Sequence, residues 1–319
     1  MAVNKWMQKL RKLEGAVTET TNPFLNVIRS PSPSLNFIFG NTHGLPLGYT
    51  MMIYGPPKGG KSIVCNAMIG QMMKDYPDGC AIKFNTELRE RAQLTDEQSR
   101  IWGIDYDRYT AYDVNSPDLI FDVIEKDIAA QCEDGLPLKL IVIDSVNMIQ
   151  GRRSMNADTI MTQQIGDDAK TLQDGMKRIL PVIRKYNIAL IVTAHVRAEM
   201  DRTEQMRGNT TKAGVSFGVK HVAEYFIHVE PNLSKKGRVD LAGKESAFVD
   251  ESVGDMNGRG EKTANKLRCV MKDSSLGPKG RMGEFTLDFT HGIINTHEEL
   301  FTLAKNRNVI ENTGAWYNF

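Results

Sequence analysis

From Ser34 onward the apolar positions of this chain gather into short runs separated by stretches of helical spacing. The runs are Met51 to Tyr54, Ala81 to Phe84, Leu140 to Ile143, Leu190 to Val192 and Tyr225 to Val229. Unbroken runs suit strands buried on both faces, and strands alternating with helices predict a parallel sheet with right-handed crossovers. Ile63 to Met73 is helix-compatible, with Ile63, Val64, Ala67, Met68 and Met72 apolar. After Glu230 the sequence turns Gly-rich and polar through Gly260. Two alternating runs then follow, Lys266 to Lys272 and Glu284 to Phe289, around a turn at Gly277-Pro278, and predict an antiparallel addition to the sheet. A closing helix is expected from Thr296, with Glu299 completing a capping box and Leu300, Leu303 and Ala304 facing inward.

Ahead of the core, Val3, Trp6, Met7, Leu10 and Leu13 share one face of a short helix whose other face is Lys5, Lys9, Arg11 and Lys12. Such a helix buries nothing alone and must dock. Thr18 to Pro23 reads as a polar tether, and the apolar patch Phe24-Leu25-Asn26-Val27 has two open readings, packing on its own domain or on a neighbouring subunit. The expected organisation is an N-terminal helix and tether over 1–30 and a core over 31–319. A chain of 319 residues, 41 % hydrophobic, is long enough for one large α/β core.

Composition narrows the classes only a little. Forty Lys and Arg against 39 Asp and Glu leave a net charge of +1, so contact with a polyanion must rest on a local cluster. Cys65, Cys80, Cys132 and Cys269 are far apart and form no C-x-x-C pair, the usage of a reducing compartment. No stretch approaches the roughly 18 apolar residues of a membrane span. A cytoplasmic location, in a bacterial cell or a virus-infected host cell, is the expectation, with no membrane partner.

The chemistry collects where the predicted strands end, since ligands of parallel sheets sit outside the carboxyl ends of the strands. After the first run comes Gly55-Pro56-Pro57-Lys58-Gly59-Gly60-Lys61-Ser62, the spacing G-x-x-x-x-G-K-S of a phosphate cradle. Glycines let backbone N–H groups close round an anion, Lys61 brings charge to the β and γ phosphates, and Ser62 ligates magnesium as Ile63 opens the helix. A nucleoside triphosphate with Mg2+ is the expected ligand, and the resemblance given below makes it ATP. Asp144 ends the third run and can hold the magnesium opposite Ser62, the alternative being a simple helix cap. Glu87 ends the second and can polarise an attacking water, with Glu90 and Glu97 as fallbacks. His195 follows the fourth, either reporting the γ phosphate or satisfied by backbone.

Two irregular stretches leave the same edge. Arg197 to Val215 has no period and carries Arg197, Arg202, Arg207, Lys212, Gly208, Gly214 and apolar methionines, as a long functional loop does. Glu199, Asp201 and Glu204 weaken a nucleic-acid reading of it. Gln150 to Gln164, with Arg152 and Arg153, follows Asp144 and can line the same surface.

Pro33-Ser34-Leu35-Asn36, Gly44-Leu45-Pro46-Leu47-Gly48, Ile53-Tyr54-Gly55-Pro56, Ile141-Val142-Ile143-Asp144-Ser145 and Gly314-Ala315-Trp316-Tyr317 stand in the order of the landmarks of the RecA family of recombination ATPases. The chain resembles that family from about residue 28 to its end. The resemblance implies a RecA-like P-loop core that assembles as a filament on single-stranded DNA, with ATP at the protomer interface, and pairs that strand with duplex DNA. It implies Glu87 as the water-activating carboxylate, His195 at the γ-phosphate sensor, and the two irregular stretches as DNA-binding loops. Ile165 and Met200 would then wedge between bases while Lys170 and Arg197 hold phosphates, and Lys272 would reach a neighbour's γ phosphate. The N-terminal helix would pack on the adjacent protomer. This sequence departs from the pattern in carrying His195 where glutamine is usual, Ser274 in place of a second trans lysine, and Gln98 near the expected adenine-stacking aromatic, beside a short insertion over 89–95. It also stops at Phe319, where many relatives continue into a DNA-gathering domain, as a compact viral-type member or a shortened chain would. A ring helicase and a nucleotide-gated assembly protein are the rival functions.

Overall fold

The computed structural model describes residues 26–88, 100–149, 167–206, 211–215, 217–232, 238–240, 262–288, 290–313 and 316–318. In chain order the strands are β1 (Val27–Ile28), β2 (Leu45–Pro46), β3 (Thr50–Gly55), β4 (Cys80–Asn85), β5 (Tyr109–Asp113), β6 (Leu138–Asp144) and β7 (Ala189–Ala198). They continue with β8 (Thr211–Ala213), β9 (Tyr225–Pro231), β10 (Arg238–Asp240), β11 (Lys262–Ser274), β12 (Met282–Asp288), β13 (Gly292–Ile294), β14 (Glu311–Thr313) and β15 (Trp316–Asn318). The main sheet runs β13-β12-β11-β9-β3-β7-β6-β4-β5, with β8 beside β7 and β10 beside β11, while β1 with β2 and β14 with β15 form separate pairs. From β9 to β5 all neighbours are parallel, and from β11 outward they are antiparallel, the mixed α/β architecture that the run pattern predicts.

Alternation along each central strand divides the core in two. Met51 and Ile53 of β3, Leu140 and Val142 of β6, and Ala189 and Ile191 of β7 face the helix Lys61–Asp75, packing with Val64, Met68 and Met72. Met52, Ile141, Ile143, Leu190 and Val192 face the other way, onto Ile120, Phe121 and Ile124 and onto Leu172, Met176 and Ile183 of the helix Asp167–Lys185. Each fully buried side chain of this size contributes about 1.5–3 kcal/mol, so both layers are needed to hold the strand ends in place.

The structure departs from the sequence pattern at several points. β5 has no apolar run because it is an edge strand exposed along most of its length, held partly by Tyr112 stacking on Phe84 at 5.3 Å. Where it is described, the stretch from Arg197 to Val215 carries regular elements: β7 runs to Ala198, a helix spans Arg202–Met206, and β8 returns antiparallel onto β7. The capping box does not form. Asn295, at φ 61, precedes the helix Thr296–Asn306, and the Glu299 carboxylate instead accepts Ser32 Oγ at 2.6 Å and Ser34 N at 3.0 Å. Distant donors on a buried turn outcompete the local one. Leu300 is exposed rather than inward. Val27 is buried against its own chain through β2, and Phe24 and Leu25 lie outside the described residues, as does the predicted helix at Val3 to Leu13.

Candidate functional site

Register places the expected chemistry on one rim. Gly55 of β3 pairs with His195 of β7, and Asn85 of β4 pairs with Asp144 of β6, so four parallel strands end side by side. Between β3 and its helix the chain turns through Lys58 at φ 58 and Gly60 at φ 91, and the helix Lys61–Asp75 starts at once. Gly55 has no alternative, since a Cβ there would fall 2.0 Å from the Val229 carbonyl oxygen. Left-handed turns directly before a 15-residue helix, with no side chain capping its start, leave its first N–H groups available to an anion.

Lys61, His195 and Glu87 form a hydrogen-bonded line across this rim. Lys61 Nζ donates to the carbonyl oxygens of Gly55 at 3.1 Å and Pro56 at 2.9 Å and lies 3.4 Å from His195 Nδ1. An ammonium only donates, so Nδ1 accepts and the ring proton sits on Nε2, 3.0 Å from Glu87 Oε1. Ser145 Oγ reaches the same carboxylate oxygen at 3.4 Å. Lys61 is buried, and desolvation holds its pKa below the ordinary lysine value against the opposing pull of Asp144 and Glu87.

Asp144, only 4 % exposed, is held by groups that the sequence pattern did not single out. Thr193 Oγ1 donates to its Oδ1 at 2.5 Å, and Lys83 Nζ stands 4.0 Å from its Oδ2 while donating to Asn66 Oδ1 at 3.2 Å. The Thr86 hydroxyl ties β4 to β6, donating to Ser145 O at 2.5 Å and accepting Ser145 N at 2.8 Å, which fixes Glu87 beside Ser145. Asn147, on the turn Val146–Met148, accepts the His195 backbone N–H at 2.6 Å. A signal for Lys83 and Thr193 existed: each interrupts an apolar run in a strand buried on both faces, where a polar side chain must find a partner. Asn66 and Asn147 gave none, because their roles depend on elements brought together only by folding.

The other expected residues are spread more widely. Ser62 is exposed in the first turn of its helix and Ile63 is half-buried, while Pro57 and Lys58 are exposed and Gly59 is buried. Lys272 is exposed on β11 and lines a separate cavity of about 370 Å3 with Tyr54, Lys212, Lys220 and His221. Arg197 stands opposite Lys212 in the β7–β8 pair, and Lys212 Nζ makes an ion pair with Glu199 at 2.8 Å, a bond that holds the Glu199 carboxyl below its usual range. Met200 and Met206 are 80 % and 88 % exposed, Arg202 is exposed, and Gly214 is buried. Lys170 lies not on a loop but exposed in the first turn of the helix Asp167–Lys185. Arg152, Arg153, Ile165, Arg207, Gly208, Glu90, Glu97 and Gln98 lie outside the described residues. Among the described residues no group of three or more His, Cys, Asp or Glu side chains could hold a metal, and no helix is long and apolar enough to cross a membrane.

Known proteins share this sequence pattern over most of the chain. A family profile, the RecA N-terminal domain, matches residues 7–247. The chain is similar to Protein RecA of Wigglesworthia glossinidia brevipalpis, at 22 % identity over 100 % of this chain and 86 % of the relative. Protein RecA of Gluconobacter oxydans is 21 % identical over 98 % and 84 %, and that of Clostridioides difficile 22 % identical over 100 % and 82 %. With a phosphate-cradle turn at the centre of a parallel sheet and a profile match across most of its length, the chain belongs to the RecA family.

Proposed function

We propose that this protein is a DNA-dependent ATPase that assembles on single-stranded DNA and promotes its pairing and exchange with homologous duplex. The observation that carries the reading is the line Lys61–His195–Glu87 across the ends of β3, β7 and β4, beside the buried carboxylate of Asp144. The residues fit a nucleoside triphosphate with magnesium. The left-handed turns and helix start suit phosphate, and a site with one strand-end carboxylate and one hydroxyl is what magnesium takes when phosphates and water complete its shell. ATP and Mg2+ would supply the scissile γ phosphoryl and the charge neutralisation around it.

Within that scheme each side chain has one task. Lys61 offers its ammonium to the phosphates, exchanging the carbonyls of Gly55 and Pro56 for stronger anionic acceptors. Ser62 and Asp144 would be the protein ligands of the metal. Glu87 orients and polarises the attacking water, and His195, hydrogen-bonded to Glu87 and next to Lys61, registers whether a γ phosphate is present. Lys170, Arg197, Met200 and Arg202, with Arg152, Arg153, Ile165, Arg207 and Gly208, are the proposed DNA-facing set; the expected contact at Gly214 drops out, because that residue is buried with its N–H and carbonyl already bonded to His195 and Asn147. Lys212 is engaged by Glu199, so a phosphate would have to displace that carboxylate. Neighbouring copies would close the nucleotide site through Lys272.

Phosphate release from ATP with magnesium, with and without single-stranded DNA, tests the reading. Lys61→Ala should abolish turnover, and Glu87→Gln should keep nucleotide binding while losing hydrolysis; normal turnover in the glutamine variant rejects Glu87 as the activating group. Negative-stain microscopy with single-stranded DNA and a slowly hydrolysed ATP analogue separates the rivals, since helical filaments are expected and closed rings would favour a helicase.

A further inference from the structure

The geometry points to Asn147 as the positioning residue that couples the histidine facing the nucleotide to the strand β8, which returns onto β7 beside it; this rests on the functional reading above. Four observations converge. Asn147 Oδ1 accepts the backbone N–H of His195 at 2.6 Å, and its Nδ2 donates to the carbonyl oxygen of Gly214 at 2.8 Å. The Gly214 N–H in turn donates to the His195 carbonyl at 2.7 Å. A Cβ at Gly214 would lie 2.8 Å from that same carbonyl, so the two backbones touch with no room for a side chain. Finally, Asn147 stands three positions after Asp144, on a turn anchored by buried Val146.

One amide side chain therefore clamps both legs of the 196–213 excursion at its base. It does so from the turn that follows the metal-side carboxylate, and it grips the backbone of the residue whose ring contacts Lys61 and Glu87. Movement of His195 caused by a γ phosphate is passed to Gly214 through two hydrogen bonds on Asn147 and one direct backbone bond. Because the amide offers an acceptor to one leg and a donor to the other, the near-isosteric Asn147→Asp substitution separates its two functions: a carboxylate still accepts from His195 but has no hydrogen for Gly214.

The test is hydrogen exchange on the full chain, without DNA, before and after adding adenosine 5′-O-(3-thiotriphosphate) with magnesium. Nucleotide is expected to slow exchange both at His195 and across 211–215 in the unaltered protein. In Asn147→Asp the response at His195 should persist while that across 211–215 shrinks about fivefold, the equivalent of one lost hydrogen bond. Should Asn147→Asp fail to fold, Asn147→Ala, which removes both bonds, is read by the 211–215 response alone, which should shrink likewise. A side chain that only props the turn would lower stability and leave the ratio unchanged, which overturns the proposal, as would a 211–215 segment that ignores nucleotide in the unaltered protein. DNA stimulation of turnover is measured separately: its absence rejects the DNA-dependent reading and leaves the coupling result standing.

Discussion

The hydroxyl of Thr193 provides the sharpest energetic test of the site, because it is fully buried and donates at 2.5 Å to a carboxylate that is itself only 4 % exposed. Thr193→Val keeps shape and volume and removes only the donor. Asp144 is then short of one charge-assisted bond in a position that water cannot reach, a loss of about 2 kcal/mol. For a chain of 319 residues that corresponds to a fall in Tm of about 3 °C. Thr193→Ser, the control, keeps the hydroxyl and loses one methyl group, worth about 1 kcal/mol. Urea denaturation followed by tryptophan fluorescence gives both differences, read as shifts in midpoint at constant slope. A cycle with Asp144→Asn should return a coupling energy of about 1 kcal/mol or more. If valine costs no more than serine, or the cycle shows coupling below about 0.3 kcal/mol, the bond is not holding Asp144 and the reasoning fails.

Other outcomes follow from the same geometry. Burial raises the pKa of Glu299 above its ordinary value of 4.5, so the folded state binds its proton more tightly and stability falls as pH rises from 4.5 through the folded pKa. Glu299→Gln should therefore gain in Tm relative to the unaltered protein at pH 8 and lose that gain at pH 4, and parallel Tm curves would exclude the effect. Gly214→Ala should destabilise by about 1–3 kcal/mol through overpacking against the His195 carbonyl, and a change within about 0.5 kcal/mol by calorimetry would show that the contact relaxes freely. Lys272→Ala should reduce DNA-stimulated turnover while leaving nucleotide binding by the monomer unchanged; undiminished stimulation rejects a role for it across the protomer boundary.

The parts of the fold that were legible in the sequence are those where one physical signal dominates. The five apolar runs became β3, β4, β6, β7 and β9, each extended by one to several residues, because burial on both faces leaves no other composition open to them. The phosphate-cradle spacing and the strand-end positions of Glu87, Asp144 and His195 were legible for the same reason, since a parallel sheet collects its strand ends on one rim. What escaped depended on partners distant in sequence. Glu299 looks like a local cap until Ser32 and Ser34 are brought beside it. β5 and β8 carry too few apolar residues to announce themselves, being respectively an edge strand and a three-residue return. The stretch from Met200 to Ala213 reads as loop because its apolar residues are few and follow no period, while Lys212 finds its partner in Glu199 across the β7–β8 pair.

The division of the interior by side-chain parity limits how the two halves of the molecule can influence each other. The central strands act as a bulkhead: the compartment holding the helix that starts at Lys61 and the compartment holding the helix Asp167–Lys185 share walls but not contents. Across the lip of that partition, by contrast, polar side chains from neighbouring strand ends touch directly, Lys61 against His195 and His195 against Glu87.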